Sequence, residues 1–392
     1  MKYLPTLLIF LLVSCGSNDD DTQYQTIDAP YVTAAFGNNI NLNQLSNYAQ
    51  QFVPPYITRT NAPAASITDK GATLGRVLFY DKKLSSNNTV SCASCHIQAH
   101  AFGDTNVASN GVNGLTQRHT MRLINTRFAV ESKFFWDERA ANLQLQTTMP
   151  IRNHGEMGYS GTDGDDNFDD LIAKLSEVGY YKELFQFVYG SPEINETKIQ
   201  LALSQFINSI QSFDSKYDAG RALVAQENQP FPNFSPLENQ GKNLYNAPPQ
   251  FDNLGKRTGG GVGCAGCHAA PEFDIAPDSG NNGIIGILNG TGIDVTNTRA
   301  PSLRDIVKRD GTLNTPLMHT GVITSLVTLL GHYNDINRAP GNGNLDPRLR
   351  PNGFGQQLRL TDQETDALIA FLKTTAGTNV YIDPKWSNPF LD

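Results

Sequence analysis

Two stretches of the chain, Cys92-Ala93-Ser94-Cys95-His96 and Cys264-Ala265-Gly266-Cys267-His268, each put two thiols and an imidazole into five consecutive positions. Such a group could hold a soft metal, cycle between dithiol and disulfide, or bind haem covalently. A structural zinc site would need two further soft ligands near each pair, and a redox dithiol has no use for the histidine. C-x-x-C-H is the c-type haem signature, in which both thiols form thioethers to the vinyl groups and the adjacent imidazole takes the iron. Two copies agree. Cys92, Cys95, Cys264 and Cys267 are therefore expected to anchor two haems, with His96 and His268 as the proximal ligands. Of the five cysteines only Cys15 lies outside these motifs, so no pair remains for a structural disulfide.

Two haems alone do not separate a carrier of electrons from a user of them. A carrier saturates both irons, whereas chemistry on peroxide needs an open position. Donors for a sixth ligand are scarce, with seven histidines and five methionines in the whole chain. For the first iron, His100 is expected one turn beyond His96 on the same helix, where it cannot reach the opposite face. His119, His154 and no protein ligand at all remain open. For the second iron the options are Met318, His332 and Tyr333, and spacing does not rank them.

The elements that must position these groups read as helices and loops, without a strand series. Thr68 to Tyr80 reads as a helix presenting Leu74, Val77 and Leu78. Ile199, Leu203, Phe206, Ile207, Ile210 and Phe213 recur at helical spacing, which predicts a helix over about Glu196 to Phe213 with a core face. Asp169 to Tyr180, Lys182 to Tyr189 (broken by Gly190-Ser191-Pro192), Leu237 to Tyr245 and Asp362 to Lys373, capped by Thr361, are predicted helices as well. The glycine runs at 259–263 and 280–292 read as loops. Prolines between Gln226 and Pro236 mark a boundary.

The expected organisation is an export signal over 1–15, a tether and loosely packed arm over 16–66, and haem domains at 67–232 and 233–392. Met1 to Ser14 holds one basic residue and an apolar run too short to span a bilayer, and Leu12-Val13-Ser14-Cys15 is similar to a bacterial lipobox. This predicts a periplasmic or cell-envelope lipoprotein anchored through Cys15. A net charge of −8 argues against nucleic acid as a partner.

From about Ile67 to Gly377 the chain resembles the bacterial di-haem cytochrome c peroxidase family that includes MauG. The resemblance rests on "LGRVLFYDKKLSSNNTVSCASCH", "FFWDERAANLQLQTTMPIRNHGEMG", "SFDSKYDAG", "CAGCH", "APSLRD", "PLMHTG" and "GHYN" in that order. It implies an all-α fold of two cytochrome-c-like domains with extensive loops. It also implies a peroxidatic haem at Cys92, Cys95 and His96, and an electron-transfer haem at Cys264, Cys267 and His268. Trp136 matches a tryptophan lying between the haems, Glu156 a distal acid that handles peroxide protons, and Gln146 and Pro150 other distal positions. A carboxyl group in a dry pocket suits O–O cleavage, which moves a proton from one oxygen to the other.

Two departures shape the expectation. Counting back from Arg118, the position of the distal histidine of the best-known peroxidases is Gly111, so the first iron is expected to be five-coordinate or water-bound. The position of the second haem's axial methionine is Tyr333, as in MauG; by this register Tyr333 ranks over His332, with Met318 third. A phenolate would lower that haem's potential. The family's calcium would draw on Asn314 and Pro316, with His119 standing where an asparagine is usual, a poorer match for an oxygen-seeking ion. Arg118 and His319 match positions near the haem interface, where packing against propionates is the plainer role. The implied function is reduction of hydrogen peroxide to water, with electrons from a small c-type cytochrome or cupredoxin. The alternatives are a MauG-like oxidase acting on a partner protein or small molecule, and a passive di-haem electron-transfer cytochrome. A homodimer is the family's usual state.

Overall fold

The computed structural model describes residues 26–62, 66–275, 277–336 and 338–391; the expected signal, Cys15 and the start of the tether lie outside them. The helices run in the order α1 (Pro30–Phe36), α2 (Asp69–Tyr80), α3 (Cys92–Cys95), α4 (Leu143–Thr148), α5 (Phe168–Ser176), α6 (Gly179–Tyr189), α7 (Glu196–Ser209), α8 (Lys216–Arg221), α9 (Pro236–Asn246), α10 (Leu326–Asn334), α11 (Asp362–Lys373) and α12 (Asn379–Ile382). Two short antiparallel pairs, β1 (Pro249–Phe251) with β2 (Arg257–Gly260) and β3 (His268–Ala269) with β4 (Asp274–Ile275), are the only sheets among the described residues. The chain is thus mostly helical, with a little sheet where glycine-rich loop was expected at 259–260. No helix among the described residues is long and apolar enough to cross a membrane.

Buried apolar side chains gather in two clusters, one over Ala29 to Ile210 with Val380 and Trp386, the other over Tyr217 to Ala376. Each is organised by one helix crossing. Where α2 meets α7, a Cβ on Gly75 would lie 2.0 Å from the Ala202 carbonyl oxygen and 2.8 Å from Phe206 Cβ. Where α9 meets α11, a Cβ on Gly241 would lie 1.9 Å from the Ala367 oxygen and 2.8 Å from Phe371 Cβ. Only glycine allows backbones this close. The flanking residues repeat too: Gly75-Arg76-Val77-Leu78-Phe79 parallels Gly241-Lys242-Asn243-Leu244-Tyr245, and Ala202-Leu203-Ser204-Gln205-Phe206 parallels Ala367-Leu368-Ile369-Ala370-Phe371.

Several expectations need correction. The arm is not loosely packed from residue 29 onward: Phe36 is fully buried between Tyr180 and Phe390, and the Tyr48 hydroxyl donates to the Lys385 carbonyl at 2.6 Å. Arg76 on α2 joins arm to tail, donating to the Ser387 carbonyl at 2.7 Å and to the Asn39 carbonyl at 3.2 Å. The last residues of the expected 233–392 domain therefore pack on the first cluster, and Tyr217 and Phe231, expected in the first domain, pack in the second.

The helix expected to reach Phe213 stops at Ser209, because Asn125 takes over the backbone there. Its amide donates to the Ile210 carbonyl, its side-chain oxygen accepts from the Ser212 amide at 2.8 Å, and its side-chain nitrogen donates to the Ser212 carbonyl at 3.2 Å. Tyr180 belongs to α6 rather than to the helix before it, since Gly179 opens α6 against the Tyr31 ring of the arm. Thr68 and Thr361 cap α2 and α11 as expected, the latter in a capping box with Glu364.

Gly75→Ala and Gly241→Ala should each lower stability by about 1–3 kcal/mol through overpacking. Gly331→Ala, in α10 with nothing within 4 Å of its Cβ position, should raise it by about 0.5–1 kcal/mol. Chemical denaturation of the three variants checks both signs.

Candidate functional site

At the first motif, α3 is opened by a capping box between Ser91 and Ser94 and ends at His96. The chain does not continue as one helix to His100, as the sequence suggested. Ala101 and Phe102 are both left-handed, with φ of 55° and 56°, and a bridge between Ile97 and Gly103 folds the loop back. This turn brings the Phe102 carbonyl to His96 Nδ1 at 2.9 Å. A donating Nδ1–H fixes the tautomer that leaves Nε2 with a lone pair for a metal. His100 instead turns its Nδ1 to the Asn314 carbonyl at 3.1 Å.

The second motif repeats the turn but not the tautomer-fixing bond, since His268 Nδ1 is buried without a partner. A tight turn over Cys264–Gly266 leads to His268, whose carbonyl accepts from the Tyr245 hydroxyl, and Phe273, with φ of 57°, folds back as Phe102 does. Behind His96 stand Phe79, Phe102 and Phe206, with Phe79 5.1 Å from Phe206 and 6.0 Å from Phe102. Behind His268 stand Tyr245, Phe273 and Phe371, with Tyr245 5.1 Å from Phe371 and 5.7 Å from Phe273.

Burial shifts the titration of both motifs. Burial pushes the thiols of Cys92 and Cys264 up to about 12, and those of Cys95 and Cys267 to about 11. Burial pushes the His268 imidazole down to about 4 and lowers that of His96, which keeps both in the neutral, ligating form. Among the described residues no group of three or more His, Cys, Asp or Glu could hold a metal ion.

A cavity of about 540 Å³ opens beside Cys264, Cys267 and His268, a volume suited to a cofactor. The cavity beside Cys92, Cys95 and His96 measures about 100 Å³, and the fit at that motif rests on the donor atoms.

Glu156, Gln146 and Pro150 all line the first cavity, together with Gly111 and Met157. Gly111 cannot carry a side chain: a Cβ there would lie 2.0 Å from the Gly155 carbonyl oxygen and 2.8 Å from Glu156 Cα. The tight approach is fastened by the Val112 amide donating to the Glu156 carbonyl at 3.0 Å. Glu156 is half-buried, and burial raises its carboxyl above the usual range against the opposing charge of Arg139.

Neither His119 nor His154 lines this cavity. His154 is exposed and paired with Asp165 at 3.0 Å, and His119 faces the Val107 carbonyl at 3.1 Å. Met157, which the sequence reading passed over, is the one thioether on this wall. Its place beside Glu156 was the available signal.

Trp136, His119, Met318, His319, Pro316 and Tyr333 line the second cavity. His332 does not; its Nε2 faces the Asn282 carbonyl at 2.9 Å. The Asn282 side chain donates to Met318 Sδ at 3.1 Å and also bonds Tyr333, whose hydroxyl burial holds protonated. Trp136 is buried, donates Nε1–H to the His119 carbonyl at 2.7 Å, and stands 6.2 Å from the His319 ring. His319 Nε2 in turn meets the Gly286 carbonyl at 2.9 Å. Thr120, the residue after His119, lines both cavities.

Arg118 pairs with Asp137 at 2.6 Å and Asp294 at 2.7 Å. The Asn314 carbonyl faces His100 Nδ1 at 3.1 Å and its side-chain nitrogen donates to the Asp305 carbonyl at 2.7 Å and the Tyr381 hydroxyl at 2.8 Å, while its Oδ1 is buried without a partner.

Residues 69–225 match the family model described as di-haem cytochrome c peroxidase. The chain is 29% identical to the methylamine utilization protein MauG of Methylorubrum extorquens over 79% of each chain. It is 25% identical to the cytochrome c551 peroxidase of Nitrosomonas europaea, covering 80% of this chain and 83% of that one. A crystal structure of a MauG-like protein associated with microbial copper homeostasis superposes with a TM-score of 0.65 at 27% identity, covering 86% of this chain and 98% of the other.

The raised carboxyl of Glu156 makes a stability prediction. Protonated to a higher pH in the folded than in the unfolded chain, it costs nothing below the unfolded value and destabilises increasingly as pH rises through the folded one. Glu156→Gln should therefore match the parent near pH 4 and be the more stable of the two at pH 8, as read by thermal unfolding.

Proposed function

As the chain belongs to the family of di-haem cytochrome c peroxidases and MauG, we propose that it is a peroxidase reducing hydrogen peroxide to water, with one haem c in each half. Each peroxide takes up two electrons and two protons and yields two waters. The electrons come one at a time from a small c-type cytochrome or cupredoxin. A haem held by Cys92, Cys95 and His96 would supply an iron for peroxide and the redox chemistry of its reduction.

The chain's own residues supply orientation and protons. The Phe102 carbonyl holds the His96 imidazole in one tautomer. Glu156, on the wall of the same cavity, has a carboxyl that burial raises above the usual range, so it can give a proton to the leaving oxygen and take one from the other. Gln146 adds an amide on that wall to orient peroxide. Trp136, hydrogen-bonded to the His119 carbonyl beside Thr120, supports a path for electrons between the cavities. The leader and Cys15 support an exported, lipid-anchored location.

The observation that carries this reading is Gly111 lying against Gly155 and Glu156. It leaves the acid, not a histidine, beside the cavity at the position where a distal ligand would otherwise enter. A second reading, a MauG-like oxidase acting on a partner protein or small molecule, is favoured by Tyr333 on the wall of the second cavity while His332 is turned away.

Glu156→Gln should retain two haems and lose about 10²–10⁴-fold in peroxide turnover with a reduced cytochrome or dye; unchanged turnover would remove Glu156 from the mechanism. A parent enzyme that turns over no donor but oxidises a partner favours the second reading.

A further inference from the structure

Three arginines line the cavity beside the second motif: Arg122, Arg299 and Arg348. Arg348 pairs with Asp346 at 2.7 Å and Arg299 faces Asp274 at 3.6 Å. Arg122 differs from both in making no ion pair among the described residues. Its Nη2 donates to the Ser302 carbonyl at 2.8 Å, and its Nε is buried without a partner.

The stem is fixed by packing. A Cβ on Gly103 would lie 2.9 Å from Arg122 Cγ and 2.7 Å from Thr315 Cγ2, so Gly103, next to the residue that holds His96, leaves room for this side chain. Arg122 thus runs from the loop of the first motif to the cavity of the second. The acid groups nearest it, the Asp305 carboxyl and the Tyr381 phenol, are both raised by burial, and neither makes an ion pair with the guanidinium among the described residues. A guanidinium stays charged in a protein, and a buried charge without a counter-ion is costly. The site is built for a carboxylate that arrives with the guest.

We propose that Arg122 clamps a propionate carboxylate of the haem bound at Cys264, Cys267 and His268, and thereby sets that haem's potential. The inference rests on the second motif carrying haem. The cavity wall is otherwise mostly apolar side chains and the attachment residues, and the propionates are the acid groups of that guest. Removing the cation leaves the carboxylate's charge near the iron uncompensated, which disfavours reduction.

The test uses the full holoprotein with Arg122→Gln and Arg122→Lys. Haem content is read by pyridine haemochrome, and the two midpoint potentials by spectroelectrochemistry. Arg122→Gln should lower the reduction equilibrium of the second haem about tenfold, about 59 mV for one electron, with a smaller shift at the first. Arg122→Lys, which keeps the charge, should restore it. Unchanged potentials in Arg122→Gln with both haems attached overturn the proposal, as does an equal fall in Arg122→Lys. If Arg122→Gln loses the second haem, retention with a near-parental potential in Arg122→Lys supports the clamp, and loss in both overturns it. A parent protein with no haem at the second motif removes the haem reading itself, and the haemochrome count of the parent reports that separately from any shift.

Discussion

The rest of the molecule depends on a backbone contact made twice: a helix presses a glycine onto the carbonyl of an alanine in its partner, Gly75 on Ala202 and Gly241 on Ala367. A side chain at either glycine would push the helices apart. With them in contact, Phe79 and Phe206 close the back of the His96 site, and Tyr245 and Phe371 close the back of the His268 site. The left-handed phenylalanine after each motif, Phe102 or Phe273, completes each aromatic trio. Burial lowers both imidazoles and raises the cysteine thiols of the two sites.

On this shared frame the two halves diverge in what faces the cavity. The first presents an acid raised by burial and an amide, Glu156 and Gln146, beside a glycine that cannot grow a side chain. It is equipped to move protons. The second presents Tyr333, Met318 and Asn282, whose side chain bonds both of the others, with Trp136 and Arg122 entering from the other half. It is equipped to hold and pass electrons. The segment from His119 to Leu123 lies between them, with Thr120 on both walls, Arg122 on the second and Leu123 on the first. Its main chain is pinned across the halves by the His119 amide on the His319 carbonyl at 2.6 Å.

Much of this was legible in residue order because it depends on local spacing. The C-x-x-C-H motifs, the capped helices after Thr68 and Thr361, and the apolar stripe of α7 each follow from a few neighbouring residues. The family motifs added Glu156, Gln146 and Trp136, which do lie on cavity walls. What was missed depends on distant partners. Ile210 leaves the helix because Asn125 claims the backbone around it, and the arm is ordered because Arg76 and Tyr48 bind a tail some 300 residues away. His119 and His154 could not be ranked from spacing, since each lies in a loop whose course is set by the other half or by Asp165. The internal repeat was visible in the letters, but a glycine signals a close crossing only once its partner helix is known.

The central claim is that the iron at the first motif offers a free face to peroxide, because Gly111 carries nothing and no histidine but His96 reaches that cavity. Electron paramagnetic resonance of the resting ferric holoprotein measures this directly. One high-spin and one low-spin signal is the predicted result. Two low-spin signals, with Met157 or any other side chain closing the first iron, would contradict the account and leave a passive electron carrier.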